Sequence, residues 1–108
     1  MAWTVETLNE TVDGEVAELP ADMWARLVRI SQLIESVGLP YVKEPHVRHV
    51  RGQFWEIRLK GKAGIARALY VTARAQRVVI LRAFITKTEK TPTGEIDLAL
   101  QRAKELKP

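Results

Sequence analysis

Three β-prone runs, at about 53–60, 64–73 and 77–86, are separated only by the stretches GKAG and RAQ. Parallel neighbours need a crossover of roughly a dozen residues or more, so connections this short dictate antiparallel hairpins and a meander. Alternation then sorts the side chains. In the first run Trp55, Ile57 and Leu59 point one way, and Glu56, Arg58 and Lys60 point the other. In the second, Ala66, Ala68 and Tyr70 alternate with Arg67, Leu69 and Val71. Small alanines suit a face tightly covered by helices, which sends Arg67 to the open face beside Arg58 and Lys60. The third run, RVVILRAFI, is apolar and β-branched throughout and reads as a strand covered on both faces. Arg82 and Phe84 share one of its faces, and Lys87 and Lys90 lie just beyond its end.

The remaining segments supply helices. WTVETL is a short strand, and Val12, Val16 and Leu19 give helical spacing over Asn9–Leu19. The clearest helix is LPADMWARLVRISQLIESVGLP, where Met23, Trp24, Leu27, Ile30, Ile34 and Val37 form one apolar stripe. Gly38 and Pro40 stop it. YVKEPHVRHVRG reads as a loop with a short turn. In TPTGEIDLALQRAKEL, Thr91 is the expected N-cap and Pro92 the first helical residue, with Ile96, Ala99, Leu100, Ala103 and Leu106 as the apolar stripe. The expected order is β-α-α-β-β-β-α, an α+β domain with helices packed on one face of an antiparallel sheet, and 1–108 forms one domain. Trp3, Trp24 and Trp55 are expected in the core or at its edge.

The charge is unevenly spread. Residues 1–42 carry a net −5 and residues 43–108 a net +9, although the chain totals only +4. Such a basic half suits an anionic partner. Absence of cysteine excludes disulfides, thiolate metal sites and cysteine catalysis. His46 and His49 lack the further ligands that zinc needs and are expected to be exposed loop residues. GKAG opens no helix, so it is no phosphate loop. Ser31 and Ser36 both fall in the amphipathic helix, which disfavours a serine triad. With no apolar run of bilayer length and no basic-then-apolar leader, a cytoplasmic location is expected. The charged strand face has two explanations from spacing alone. It is a solvated surface in which Glu56 partners Arg58 or Lys60, or it is a basic surface for a phosphate backbone with Phe84 or Tyr70 stacking on a base.

The run from Gly52 to Glu105 carries ordered motifs: Trp55-Glu56-Ile57-Arg58, Ala66-Arg67-Ala68-Leu69-Tyr70, Phe84, Lys87-Thr88-Glu89-Lys90-Thr91-Pro92, and Glu95-Ile96 with Ala99 and Arg102. In this it resembles the RelE/ParE superfamily of bacterial toxins and is most similar to the HigB-like, phage Gp49-related branch. The resemblance implies the toxin of a type II toxin–antitoxin pair. It implies ribosome-dependent mRNA cleavage without metal or other cofactor, and neutralisation by a cognate antitoxin that often carries a helix-turn-helix domain. It further implies catalytic roles for Arg58, Lys60, Arg67, Lys87 and Glu56, and RNA contacts from Lys62, Arg82, Phe84 and Lys90. If so, Arg67→Ala abolishes growth inhibition and leaves the fold intact. ParE-type relatives share the fold but poison DNA gyrase, and a non-catalytic protein that only binds an antitoxin is a third possibility.

Overall fold

A computed structural model describes residues 2–106. The elements run β1 (Thr4–Thr7), α1 (Glu10–Ala17), α2 (Ala21–Val37), a 3-10 turn (Leu39–Tyr41), β2 (Val47–Arg51), β3 (Phe54–Gly61), β4 (Gly64–Ala73), β5 (Arg77–Thr86) and α3 (Thr93–Ala103). The meander from β3 to β5 forms as its short connections require, within one sheet of order β1-β5-β4-β3-β2. β1 pairs parallel to β5, and every other pairing is antiparallel.

The strand absent from the expected order is β2, which lies in the stretch read as a loop. Only Val47 and Val50 are apolar in VRHVR, and because they are an odd number of residues apart they serve opposite faces, with a register shift following between His49 and Arg51. An edge strand lined with Arg and His resists pairing with another chain, and the same charge hides its signature in the sequence. Two residues, Gly52 and Gln53, connect it to β3, with Gly52 at φ +56 as so tight a hairpin demands.

The helices do not share one face. Met23, Leu27, Ile30 and Ile34 of α2 and Val12 of α1 pack on Ile57, Leu59, Ala66, Ala68, Tyr70, Val78 and Ile80. The opposite face buries Leu69, Val71, Val79, Leu81 and Phe84 against Ala99 of α3. β5 is therefore covered on both sides, as its unbroken apolar run predicts, and a second covering layer follows from that. Trp24 and Trp55 are about half exposed and not core residues, while Trp3 packs at the core margin.

Thr91 does not cap α3. The helix begins one residue later, with Pro92 at the cap position, and the Thr91 hydroxyl is used elsewhere.

The β4–β5 turn holds Ala75 and Gln76 at φ +63 and +57, a left-handed conformation that costs a non-glycine residue about 1–2 kcal/mol. The Gln76 side-chain oxygen is also buried without a donor. Gln76→Gly removes both penalties at a smaller cost in chain entropy. It is expected to stabilise the fold by roughly 1 kcal/mol, measurable as a higher urea midpoint with unchanged m-value.

Candidate functional site

The register places Arg58 directly across from Arg67, and Glu56 across from Leu69. All four belong to the face that α3 covers, so the charged side chains share a surface as alternation predicts. That surface is not open. Glu56 and Arg67 are each only 1% exposed. Like charges on facing strand positions repel, and the buried carboxylate of Glu56 offsets them. Its Oε1 accepts from Arg67 Nη1 at 2.6 Å and lies 3.8 Å from Arg58 Nε.

Arg67 has three further contacts, all with the segment that follows β5. Nη2 donates to the carbonyl oxygens of Thr88 at 2.8 Å and Glu89 at 2.7 Å, and Nη1 to Thr91 Oγ1 at 3.4 Å. Thr91 in turn donates to Glu56 Oε2 at 2.6 Å. Both oxygens of Glu56 and both terminal nitrogens of Arg67 are thus committed within the protein. The pair clamps residues 88–91 onto the sheet, and the clamp holds the backbone between Lys87 and Lys90.

Arg58 is placed differently. Its Nη2 donates to the exposed Glu89 Oε2 at 3.1 Å, and its Nε, like that of Arg67, is buried without a partner. Lys60, Lys62, Lys87 and Lys90 are exposed. A cleft of about 240 Å³ opens between β2, β3 and the clamped segment, lined by Arg48, His49, Glu56, Arg67, Glu89 and Lys90 among others. A larger groove of about 710 Å³ lies beside Leu39, Val42, Val47, Trp55 and Tyr70. It is mostly apolar, with Lys43, Glu44 and Arg48 as its charged lining, and it shares Arg48 and His49 with the smaller cleft. Arg48, Arg67 and Lys90, set against Glu56 and Glu89, make the smaller cleft the candidate site; Arg58, Lys60, Lys62 and Lys87 are not in its lining. His46 is exposed, and His49 meets the Gly52 carbonyl oxygen at 2.8 Å and the edge of Trp55.

Three of the expected contacts are displaced. Phe84 is 7% exposed, packed in the second core, and presents no ring to a base. Tyr70 is buried in the first core, and burial pushes its phenol well above the usual tyrosine range. Arg82 lies over the Phe84 ring and is gripped by Glu95, at 2.7 Å from Nε, and by Glu15, at 2.9 Å from Nη1. Its own hydrogen bond to Glu95 raises its pKa most, against the opposing effect of burial.

Glu15 was hidden in the short first helix. Beyond the end of β1 it takes the place of a missing strand: Oε1 accepts from the Ala83 N–H, and Arg102 of α3 donates to both its oxygens. α1, β5 and α3 are joined through this one carboxylate. Burial pushes its pKa up, but the Arg102 hydrogen bond, the Ala83 N–H and the charges of Arg82 and Arg102 together hold it below 4.5. With the folded value depressed, the stabilisation is complete above the unfolded value and is lost as pH falls through the lower folded one. Glu15→Gln is expected to cost about 1–3 kcal/mol near neutrality. It should also flatten the loss of stability below pH 4.5, which acid unfolding monitored by tryptophan fluorescence would show.

Among solved structures, an arginine-to-alanine double mutant of the Escherichia coli toxin RelE in its free state superposes with a TM-score of 0.66 at 16% identity, over 94% of this chain and 98% of that one. The archaeal RelE–RelB complex from Pyrococcus horikoshii OT3 gives a TM-score of 0.56 at 18% identity, over 82% and 99%. No curated protein matches the sequence significantly. A profile of the family described as phage derived protein Gp49-like (DUF891) matches residues 14–104, most of the chain. The chain belongs to the phage-derived Gp49-like family and has the fold of RelE.

Proposed function

We propose that this protein is the toxin of a type II toxin–antitoxin pair and acts as a ribosome-dependent, metal-independent mRNA endonuclease, held inactive by a cognate antitoxin of helix-turn-helix type. The observation that carries this reading is that Arg58 pairs with Glu89 while the buried Glu56–Arg67 clamp holds the backbone of the Lys87–Lys90 segment on the same sheet face. The Gp49-like family and the RelE fold are its context. The solved relative in complex with RelB supports a protein antitoxin as the partner.

The chemistry needs no bound cofactor. The RNA's own 2′-hydroxyl loses its proton as it attacks the adjacent phosphorus, the bond to the 5′-oxygen breaks and that oxygen takes a proton from solvent, and a 2′,3′-cyclic phosphate and a 5′-hydroxyl result. Extra negative charge collects on the phosphorane, where preorganised cations favour the transition state over the ground state. Arg58 supplies a guanidinium at the sheet. Lys60, on the same strand face, is the candidate proton acceptor for the 2′-hydroxyl, and Lys87 and Lys90 contribute charge from the clamped segment. Lys62 extends the basic surface into the β3–β4 turn. Glu56 and Arg67 act through position: they hold Arg58's neighbourhood and the segment in place.

Primer extension on cellular mRNA after induction tests the proposal. New 5′ ends within translated codons are expected. Intact mRNA with gyrase-linked DNA breaks would instead support a ParE-like activity. A neighbouring gene for a small helix-turn-helix protein is the expected partner, tested by co-purification.

A further inference from the structure

The geometry points to Glu89 as an internal stand-in for phosphate. Its carboxylate occupies Arg58 in the free protein and must leave before an RNA phosphate binds there, a latch that presupposes the RNA-binding role proposed above. The reason is a charge imbalance. Arg58 and Arg67 bring two positive charges to facing positions, and Glu56 brings one negative charge. Arg67 takes that charge at 2.6 Å, whereas Arg58 Nε stands 3.8 Å from it; the Nε atoms of both arginines are buried without a hydrogen-bond partner, so the distance to Glu56 is what separates them. Arg58 is thus the guanidinium left short of an anion, with a side chain only 12% exposed.

Glu89 supplies the missing charge from outside, with 78% of its side chain in solvent. An anion so exposed is held weakly, because water competes for it and ordering its side chain costs entropy. Its backbone, however, is anchored, since Arg67 binds the carbonyl oxygens of both Thr88 and Glu89. The carboxylate can therefore swing away on its own rotamers while the segment stays clamped, and it returns when the site empties. A phosphodiester replaces it in kind, as both are oxygen anions that accept from a guanidinium. Lys90, which lines the adjacent cleft, is placed to take up the strand that displaces the latch. A single stray anion has to compete with Glu89, whereas a strand that also engages the lysines does not depend on Arg58 alone.

The test uses full-length protein and a fluorescein-labelled single-stranded 12-nucleotide RNA, with binding read by anisotropy at fixed low salt. Glu89→Gln is expected to lower Kd roughly three- to fivefold, the change that loss of one competing exposed pair produces. Glu18→Gln makes the same change in net charge from the end of α1 and should have a clearly smaller effect. In an Arg58→Gln background the effect of Glu89→Gln should fall to that of Glu18→Gln. Equal tightening by Glu18→Gln, or undiminished tightening without Arg58, would overturn the latch. The nuclease proposal is read separately, as mRNA cleavage in a translating extract. Tightening through Arg58 without cleavage keeps the latch and removes the nuclease; cleavage with an unchanged Kd in Glu89→Gln does the reverse.

Discussion

Arg67→Ala is expected to lower the unfolding free energy by about 3–5 kcal/mol, the usual consequence of leaving one partner of a buried ion pair behind. Glu56 would keep its charge at 1% exposure with only the Thr91 hydroxyl as a donor, and the carbonyls of Thr88 and Glu89 would lose their anchor. Against a total stability of about 5–15 kcal/mol this is a large fraction. Urea denaturation followed by tryptophan fluorescence measures it. Arg67→Lys should recover only part of the loss, because an ammonium cannot bridge a carboxylate and two carbonyls in one plane. Replacing both partners, as in Glu56→Met with Arg67→Met, should be milder than Arg67→Ala, since no lone charge is then buried. A midpoint shift worth less than about 1 kcal/mol for Arg67→Ala would show that the pair is not the clamp described. The sequence alone suggested that this variant would stay folded and lose only activity. Its burial leads to a different expectation: any loss of toxicity would first have to be separated from loss of fold.

Burial of Arg67 separates the parts of the molecule that are legible in the sequence from those that are not. The meander was, because two connections too short for a crossover leave only hairpins. So was the grouping of Glu56, Arg58, Lys60 and Arg67 on one face, because the period of a strand is insensitive to what covers it. What covers the face is a tertiary property. Leu69, Val71 and Phe84 lie on the same side as Arg67, and their need for shelter outweighs the cost of burying two charges once those charges pair with each other. α3 and the 88–91 segment supply that shelter. The same non-locality conceals Thr91, a reasonable cap by its position that bonds instead to a carboxylate 35 residues earlier in the chain. Arg82 and Phe84 followed the alternation correctly but reached Glu15, Glu95 and a second core, and not a ligand. β2 is illegible for the opposite reason, since an exposed, charged edge strand has almost no apolar pattern.

Arg58→Ala should behave unlike Arg67→Ala, and the contrast discriminates between holding the site together and acting in it. Removing Arg58 leaves Glu56 bound to Arg67 and Thr91, and it leaves Glu89 in solvent, so no charge is stranded and the urea midpoint should move little. The cleavage rate should nevertheless fall by about 10²–10³, the typical loss when one preorganised donor to a developing oxyanion is removed. Single-turnover cleavage of mRNA on programmed ribosomes, read by primer extension, would provide the number. If Arg58 favours the phosphorane over the bound diester, kcat falls and KM changes little; if it only grips the backbone, KM rises and kcat holds. Arg58→Lys separates charge from geometry. A point charge at the end of a flexible stem should restore part of the binding but little of the rate, because it cannot present two parallel donors to two phosphate oxygens. Undiminished cleavage by a stable Arg58→Ala protein would remove Arg58 from the chemistry and leave the lysines and Arg48 to account for it.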